Sequence, residues 1–203
     1  MRSSLYLPKH LLSQLCEISV AFEKRRVVWA IFAGAAASIY GAKRSVNDLD
    51  LIVRERDLWE VASYFHLQLM AFENKFQSAT IRTQLLRFGF CEVTARLLIE
   101  TSMGNYEFAL DNLMIKRRRW FRVNGLRVPV LSPEDNVVFK GIMQRGNEDK
   151  KHDLEDIKDI LKNQKIDKDY LRVRIKISRS EKRLSRILDC FYLLDHPSSE
   201  SRV

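Results

Sequence analysis

The pattern of apolar and polar positions divides the first part of the chain into alternating helices and strands. An apolar stripe over residues 8–26 predicts a helix, and the short apolar run 27–33 (VVWAIFA) predicts a buried strand. The alanine-rich residues 35–40 favour a second helix by propensity. Residues 49–53 (LDLIV) indicate another strand, and residues 57–71 carry apolar positions at the spacing of an amphipathic helix.

Strand-like alternation follows and then gives way to helices. Residues 80–100 alternate as two strands with a turn at Phe88-Gly-Phe, and the extended segment YEFALD comes after a Met-Gly-Asn turn. Ser132 before Pro133 is a strong helix start, since serine caps helices and proline suits their first position. The charged residues 149–163 predict a further helix, and residues 168–194 predict a very basic one.

This order of elements predicts an α/β (α+β) fold in which a mixed sheet carries flanking helices. We expect the sheet core over residues 1–130 and a small helical region with a basic tail over residues 131–203.

The net charge of +9 favours a polyanionic partner such as nucleic acid, a nucleotide or an acidic surface, although ordinary basicity explains it equally well. Basic and aromatic residues mix in one run that could neutralise phosphates and stack on bases. In the alternative, its aromatic residues are core anchors and its cations are solvated. The run covers residues 116–122, and its candidate contacts to nucleic acid are Lys116, Arg117, Arg118, Arg119 and Trp120.

The cysteines and the apolar runs indicate the compartment. Cys16, Cys91 and Cys190 are widely spaced and odd in number, which disfavours a disulfide framework and a thiolate zinc site. We therefore expect a reducing cytoplasm. No apolar run approaches the roughly 18 residues of a membrane span, and the first residues lack an apolar signal segment, so no membrane partner is expected.

An Asp-x-Asp pair carries the main candidate chemistry. Asp48 and Asp50 are two positions apart, so a strand places both carboxylates on one face, where they repel each other. A divalent cation removes this repulsion, and Mg²⁺ prefers carboxylate and phosphate oxygens. Gly34 lies between a predicted strand and a helix, where backbone N–H groups can face an anion. The alternative for the two aspartates is a solvated strand end.

The spacing of these residues resembles the signature of the polymerase-β-type nucleotidyltransferase superfamily. Gly34-Ala35, twelve intervening residues and Asp48-Leu49-Asp50 match its Gly-Gly or Gly-Ser turn, short helix and Asp-x-Asp strand. The lead-in Tyr40 to Asn47 and the stretch Val128 to Asp156 are similar to those of its small, minimal members, which include antitoxin and abortive-infection proteins.

The resemblance implies a metal-dependent transfer of a nucleoside monophosphate from an NTP to an acceptor hydroxyl on RNA, a protein or a small molecule. It assigns Mg²⁺ (or Mn²⁺) to Asp48, Asp50 and a third acidic residue. Glu92 is the best candidate for this third residue, with Glu100 and Asp111 as runners-up and a solvent-facing role as the alternative. The nucleotide-binding residues that the resemblance implies are Gly34, Ala35, Arg44 and Lys140.

Two departures keep a second function open. The third aspartate is absent, and alanine stands at position 35, where the signature has glycine or serine. The alternative is therefore a catalytically impaired protein of the same fold that binds nucleotides or nucleic acid, or acts as an antitoxin. Asp153 and Asp156 could pair with Lys140 or Arg145 to join two helices, and Arg145 and Lys151 could hold a triphosphate. The oligomeric state is not indicated.

Overall fold

The protein is built on one eight-stranded mixed sheet with helices on both faces. The computed structural model describes residues 7–43, 45–123 and 125–190. The strands are β1 (Trp29–Ile31), β2 (Leu49–Val53), β3 (Met70–Lys75), β4 (Thr80–Phe88), β5 (Cys91–Thr101), β6 (Gly104–Ala109), β7 (Arg119–Val123) and β8 (Leu126–Val130). The helices are α1 (Lys9–Lys24), α2 (Ala33–Ile39), α3 (Glu55–Tyr64), α4 (Asn112–Arg117), α5 (Pro133–Met143), α6 (Asp153–Asn163), α7 (Lys168–Ile177) and α8 (Glu181–Cys190).

The strand order is β3-β4-β5-β2-β1-β8-β7, and β6 pairs with β5 outside this path. The β2–β5 and β1–β8 pairs are parallel, whereas the remaining neighbours are antiparallel. The mixed sheet with flanking helices that the sequence predicts is thus confirmed. Among the helices of the described residues, none is long and apolar enough to cross a membrane.

The two faces of the sheet pack against different helices. Trp29 and Phe32 are three positions apart in extended chain, so their side chains lie on opposite faces. Trp29 contacts Phe22 of α1, with ring centroids 5.4 Å apart. Phe32 contacts Phe139 of α5 at 5.2 Å and Phe108 of β6 at 6.0 Å. Helix α1 therefore covers one face, and α5 covers the other.

Helix α5 begins where the sequence predicts and lies at the centre of the C-terminal helices. The Ser132 hydroxyl accepts a hydrogen bond from the backbone N–H of Asp135 at 3.1 Å, and Pro133 occupies the first turn. Every residue of α5 is buried. Two buried residues, Leu131 and Ser132, connect β8 to α5, and a division into core and helical region at this point stays a prediction.

The predicted helix over residues 57–71 is wrong in its second half. Helix α3 ends at Tyr64, because His66 adopts a left-handed conformation with φ of 53°. The N–H groups of His66 and Leu67 bond the carbonyls of Ser63 and Ala62, which is the arrangement of a Schellman C-cap. Residues 70 and 71 begin β3 instead, and the sequence pattern did not predict this strand.

The predicted basic helix over residues 168–194 is two helices in the described part of the chain. Arg179, at φ of 53°, ends α7 with the same cap geometry, and α8 starts at Glu181. One of the basic residues faces inward. Arg174 is 3% exposed and pairs with Asp111 at 2.5 Å and with Asp135 at 2.8 Å. Residues 191–194 of the prediction lie outside the described residues.

The predicted helix at residues 149–163 starts later than expected. A single 3₁₀ turn covers Asn147–Asp149, and α6 begins at Asp153. Lys150, at φ of 54°, separates the two and keeps residues 150–152 in a loop. This loop borders the candidate site.

Candidate active site

A cavity of about 220 Å³ opens at the end of the sheet where β1 ends and β2 begins. Asp48, Asp50, Glu92 and Gly34 all line it. Glu92 lies directly opposite Asp50 in the parallel β2–β5 ladder, so the third acidic candidate stands beside the Asp-x-Asp pair. The structure therefore brings together residues that are more than 50 positions apart in sequence.

Among the acidic residues of this site, Asp50 has the most strongly shifted pKa. Its side chain is half-buried at the second position of β2, whereas Asp48, immediately before β2, is exposed. The pKa of Asp50 is raised from 3.8 to about 7, chiefly by burial and then by the charges of Asp48 and Glu92, against the opposing charges of Arg145 and Lys151. Ionisation of Asp50 beside Asp48 and Glu92 is therefore unfavourable, and a bound divalent cation would relieve that cost.

Glu92 is already engaged by a cation. Its Oε1 atom accepts hydrogen bonds from the Arg87 guanidinium, at 2.5 Å from Nη2 and 3.1 Å from Nε. The two residues face each other in the antiparallel β4–β5 ladder, which explains the pairing. Arg87 was not among the residues that the sequence singled out, since an isolated arginine in a strand carries no signal.

The described residues contain no group of three or more His, Cys, Asp or Glu side chains placed to hold a metal ion by themselves. Asp48 and Asp50 nevertheless fit a divalent cation, because both line the cavity and because burial and the neighbouring acids disfavour the charged form of Asp50. Phosphate oxygens of a nucleotide would complete such a coordination sphere, as Mg²⁺ sites in proteins commonly use one or two carboxylates.

The turn before α2 lies one residue earlier than the sequence suggested. Ala33 adopts φ of 54°, a left-handed conformation that costs an alanine roughly 1–2 kcal/mol. Ala33 and Gly34 line the cavity, whereas Ala35 is fully buried and is not among the lining residues. Helix α2 begins at Ala33 and turns the side chain of Ala35 into the core, and a role for its backbone N–H in phosphate binding stays a prediction.

Lys140 is buried and forms ion pairs with two aspartates. It is 1% exposed, and its ammonium group lies 3.0 Å from Asp153 and 2.7 Å from Asp156. The ion pairs that the sequence offered as a link between two helices are thus present, between α5 and α6. Lys140 also lines the floor of the cavity. Its role in nucleotide binding stays a prediction.

Other cations stand at the rim of the cavity. Arg145 is held by Asp153, with Nε to Oδ2 at 2.8 Å and Nη2 to Oδ1 at 3.2 Å. Lys150 and Lys151 line the cavity from the loop before α6, and neither forms an ion pair within the described part of the chain. Lys150 is a second residue that sequence reasoning missed. These two ammonium groups are available to an anion that enters the cavity.

The opposite wall of the cavity comes from the β3–β4 hairpin. Phe72 and Phe76 line it with Ile81, and the sequence could not reveal this wall because β3 itself was not predicted. The tip of the hairpin is bonded to the 3₁₀ turn before the two lysines and to the end of α5. The N–H of Gln77 donates to Asp149 at 3.0 Å, and the Ser78 hydroxyl donates to the Met143 carbonyl at 2.8 Å.

The basic run at residues 116–120 is divided between several environments. Arg117 pairs with Asp167 at 3.0 Å, and Arg119 donates to the side chain of Gln164 at 3.1 Å. Arg118 and Trp120 lie on the other side of the β7–β8 hairpin, and Lys116 is exposed at the end of α4. Contact with nucleic acid stays a prediction for this run. Arg44, a predicted nucleotide-binding residue, lies outside the described residues.

Comparisons with known proteins bear on the family. No protein with curated function matches the chain. Among solved structures, a protein from Thermotoga maritima assigned as a nucleotidyltransferase is 18% identical, covers 62% of this chain and 80% of its own, and has a TM-score of 0.49. An antigenic nucleotidyltransferase-like protein from Paracoccidioides brasiliensis is 17% identical over 90% of this chain and 94% of its own, with a TM-score of 0.47.

The antibiotic-resistance factor ANT(2″)-Ia is similar at 12% identity over 89% of this chain and 90% of its own, with a TM-score of 0.47. The sequence model of a nucleotidyltransferase family, described as uncharacterised nucleotidyltransferases, matches residues 9–194. This match spans the sheet, the acidic residues of the cavity and the C-terminal helices. The chain therefore belongs to this family of nucleotidyltransferases.

Proposed function

We propose that the protein transfers a nucleoside monophosphate from an NTP to an acceptor hydroxyl. The observation that carries the proposal is the crowding of Asp48, Asp50 and Glu92 in one cavity, where Asp50 has a pKa raised to about 7. Lys150 and Lys151 at the rim supply cations for a triphosphate. Catalysis of this kind consists mainly of positioning and electrostatic stabilisation.

In this proposal each part of the cavity has a task. Asp48 and Asp50 hold Mg²⁺ or Mn²⁺, which when bound neutralises phosphate charge. Gly34 lets the triphosphate approach the backbone, and Lys151 binds its outer phosphates. The acceptor oxygen forms a bond to the α-phosphorus, the bond from that phosphorus to the pyrophosphate oxygen breaks, and Glu92 receives the acceptor proton. The aromatic wall from β3 and β4 excludes water from one side.

The test is transfer of label from α-labelled NTPs with Mg²⁺ or Mn²⁺ in a mixture of cell protein and RNA. We expect labelled product with the wild-type protein and none with the Asp48→Asn/Asp50→Asn double variant, and the location of the label identifies the acceptor. Asp169→Asn is the matched control, because its side chain is 91% exposed and does not line the cavity. Absence of label with folded wild-type protein would count against the enzyme.

The Arg87–Glu92 pair favours the second candidate, a catalytically impaired protein that binds nucleotides or nucleic acid. To bind a metal ion or take up a proton through the same oxygen, Glu92 must first give up two hydrogen bonds from a guanidinium. Isothermal titration with Mg-ATP separates the candidates. Binding without label transfer supports the second, whereas absence of any NTP binding contradicts the enzyme.

Arg87→Ala tests the assignment of Glu92 directly. If Glu92 is a metal ligand, release from Arg87 raises the affinity for Mn²⁺ several-fold, as followed by electron paramagnetic resonance of free Mn²⁺. Adding Glu92→Gln should abolish that gain. Arg82→Ala is the control, since Arg82 lies on the same strand but pairs with Glu73 and Glu100. An equal gain in both Arg87 variants would show that Glu92 does not ligate the ion.

A further inference from the structure

A second cleft, of about 470 Å³, lies between the end of α1 and the β7–β8 hairpin. Trp29 and Phe22 form part of its floor, so it opens on the face of the sheet covered by α1. Asp50 is bonded through its carbonyl to Phe32, at the other end of β1. The cleft and the acidic cavity therefore lie on different faces and at opposite ends of the central strands.

Because side chains alternate along β7, the residues of the basic run lie on both faces of the sheet. The β7–β8 ladder pairs Trp120 with Pro129 and Arg122 with Arg127, so their side chains share one face. Arg119 points to the other face, where its guanidinium lies 5.7 Å from the ring centre of Tyr40. Only part of the run is therefore available to the cleft.

Positively charged side chains outnumber negatively charged ones in the cleft. Arg26, Arg118 and Arg127 line it, and none of the three forms an ion pair within the part of the chain that the structure describes. Glu23 also lines the cleft, which leaves a net excess of two positive charges. Burial lowers the pKa of the Arg118 guanidinium, and the nearby charge of Arg54 lowers it further. An incoming anion would relieve this repulsion.

An exposed indole stands among these guanidinium groups. Trp120 is 50% exposed, with Arg127 at 4.7 Å and Arg118 at 5.4 Å from its ring centre. Arg118 is fixed in this position by hydrogen bonds to the carbonyls of Trp29 and Ile115. Aromatic rings and guanidinium planes are the surfaces on which proteins stack unpaired bases, with cations on the neighbouring phosphates.

We propose that this cleft binds single-stranded nucleic acid, with a base stacked on the Trp120–Arg127 pair and phosphates on Arg26 and Arg127. An acidic peptide would use the arginines but would leave the exposed indole unused. A cleft of this volume accommodates about one nucleotide unit, and the exposed Arg122 on the same face extends the path for a phosphate backbone. The site is separate from the acidic cavity and does not require the enzyme to be active.

The experiment measures fluorescence anisotropy of a labelled RNA strand of about 12 nucleotides, without NTP and with chelator, between about 50 and 200 mM salt. Trp120→Ala should weaken binding about tenfold, and Trp120→Phe should retain most of the affinity because a ring remains. Arg127→Gln should reduce the slope of log affinity against log salt by about 0.7, the value for one phosphate contact on a single strand.

Lys116→Gln is the matched control. It removes one positive charge from the same run, but Lys116 does not line the cleft, so affinity and slope should both stay close to wild type. Thermal unfolding of each variant shows whether it folds. The exposed Arg127 provides a test that stands even if Trp120→Ala does not fold.

Three outcomes would overturn the proposal. The first is an RNA affinity in both Trp120→Ala and Arg127→Gln that equals that of the wild type. The second is a loss of RNA affinity in Lys116→Gln as large as in those two variants. The third is Trp120-dependent binding to anionic phospholipid vesicles without binding to RNA. A DNA strand of the same sequence and an RNA duplex show which form of nucleic acid binds. Binding of either single strand in preference to the duplex supports the proposal. Asp48→Asn/Asp50→Asn should keep this affinity, so loss of transfer activity and loss of RNA binding are separable results.

Discussion

Asp50→Asn should stabilise the folded protein at neutral and alkaline pH. Asparagine keeps the size of the aspartate but removes a charge that burial and the neighbouring Asp48 and Glu92 disfavour. The pKa of Asp50 rises from 3.8 to about 7. At 1.36 kcal/mol per pKa unit, this rise of about three units corresponds to about 4 kcal/mol of lost stability when the group is fully ionised.

The sign of the pH dependence follows from linkage. Below about pH 4 the Asp50 carboxyl is protonated in both states and costs nothing. Between about pH 4 and 7 the folded protein keeps a proton that the unfolded chain has released, so the free energy of unfolding falls as the pH rises. Above about pH 7 the full cost remains. The variant should therefore match the wild type at pH 4 and exceed it by about 2–4 kcal/mol at pH 8.

The assay is chemical denaturation with chelator present, from pH 4 to 8.5, with thermal unfolding in parallel. A gain of about 3 kcal/mol raises the melting temperature of a domain of this size by roughly 6–12 °C. Asp169→Asn serves as control, since its carboxylate is almost fully exposed. Added MgCl₂ should stabilise the wild type more than the variant. Equal slopes of stability against pH in both proteins would refute the reasoning.

Two further predictions concern helix α5. Lys140→Ala leaves the buried carboxylates of Asp153 and Asp156 without their shared cation and should cost about 3–5 kcal/mol of unfolding free energy; a loss below about 1 kcal/mol in chemical denaturation would contradict it. Gly141→Ala places a Cβ atom 2.9 Å from Cγ of Leu184 on α8 and should lower the melting temperature, because overpacking costs about 1–3 kcal/mol; an unchanged or higher melting temperature would show that α8 can move aside.

Local chemistry decided which parts of the fold were predictable. Ser132 and Pro133 predict the start of α5, because the capping hydrogen bond joins Ser132 to a residue only three positions away. The acidic pair was identifiable because two carboxylates at strand spacing need a ligand or solvent. Glu92 could be proposed as an acidic residue in an apolar strand, but its register beside Asp50 and its bond to Arg87 depend on strand pairing.

Long-range partners decided the features that were not predicted. β3 pairs with β4 at the edge of the sheet, and the apolar residues at its start fit the helical spacing of the preceding segment equally well. Arg174 reads as one more cation of a basic tail, although its partner Asp111 is 63 residues away and its partner Asp135 is 39 residues away. A single sequence contains no signal for such pairings.

The bonds at the tip of the β3–β4 hairpin determine which wall of the acidic cavity can move. Gln77 joins the hairpin to Asp149, directly before Lys150 and Lys151, and Ser78 joins it to Met143 at the end of α5. The guanidinium of Arg183 on α8 donates to the carbonyls of both Ser78 and Met143. The hairpin tip, the end of α5 and the turn before the two lysines should therefore move as one rigid unit. Entry and release of a nucleotide would then depend on residues 45–48 before β2, where amide hydrogen exchange should be faster than at the hairpin tip.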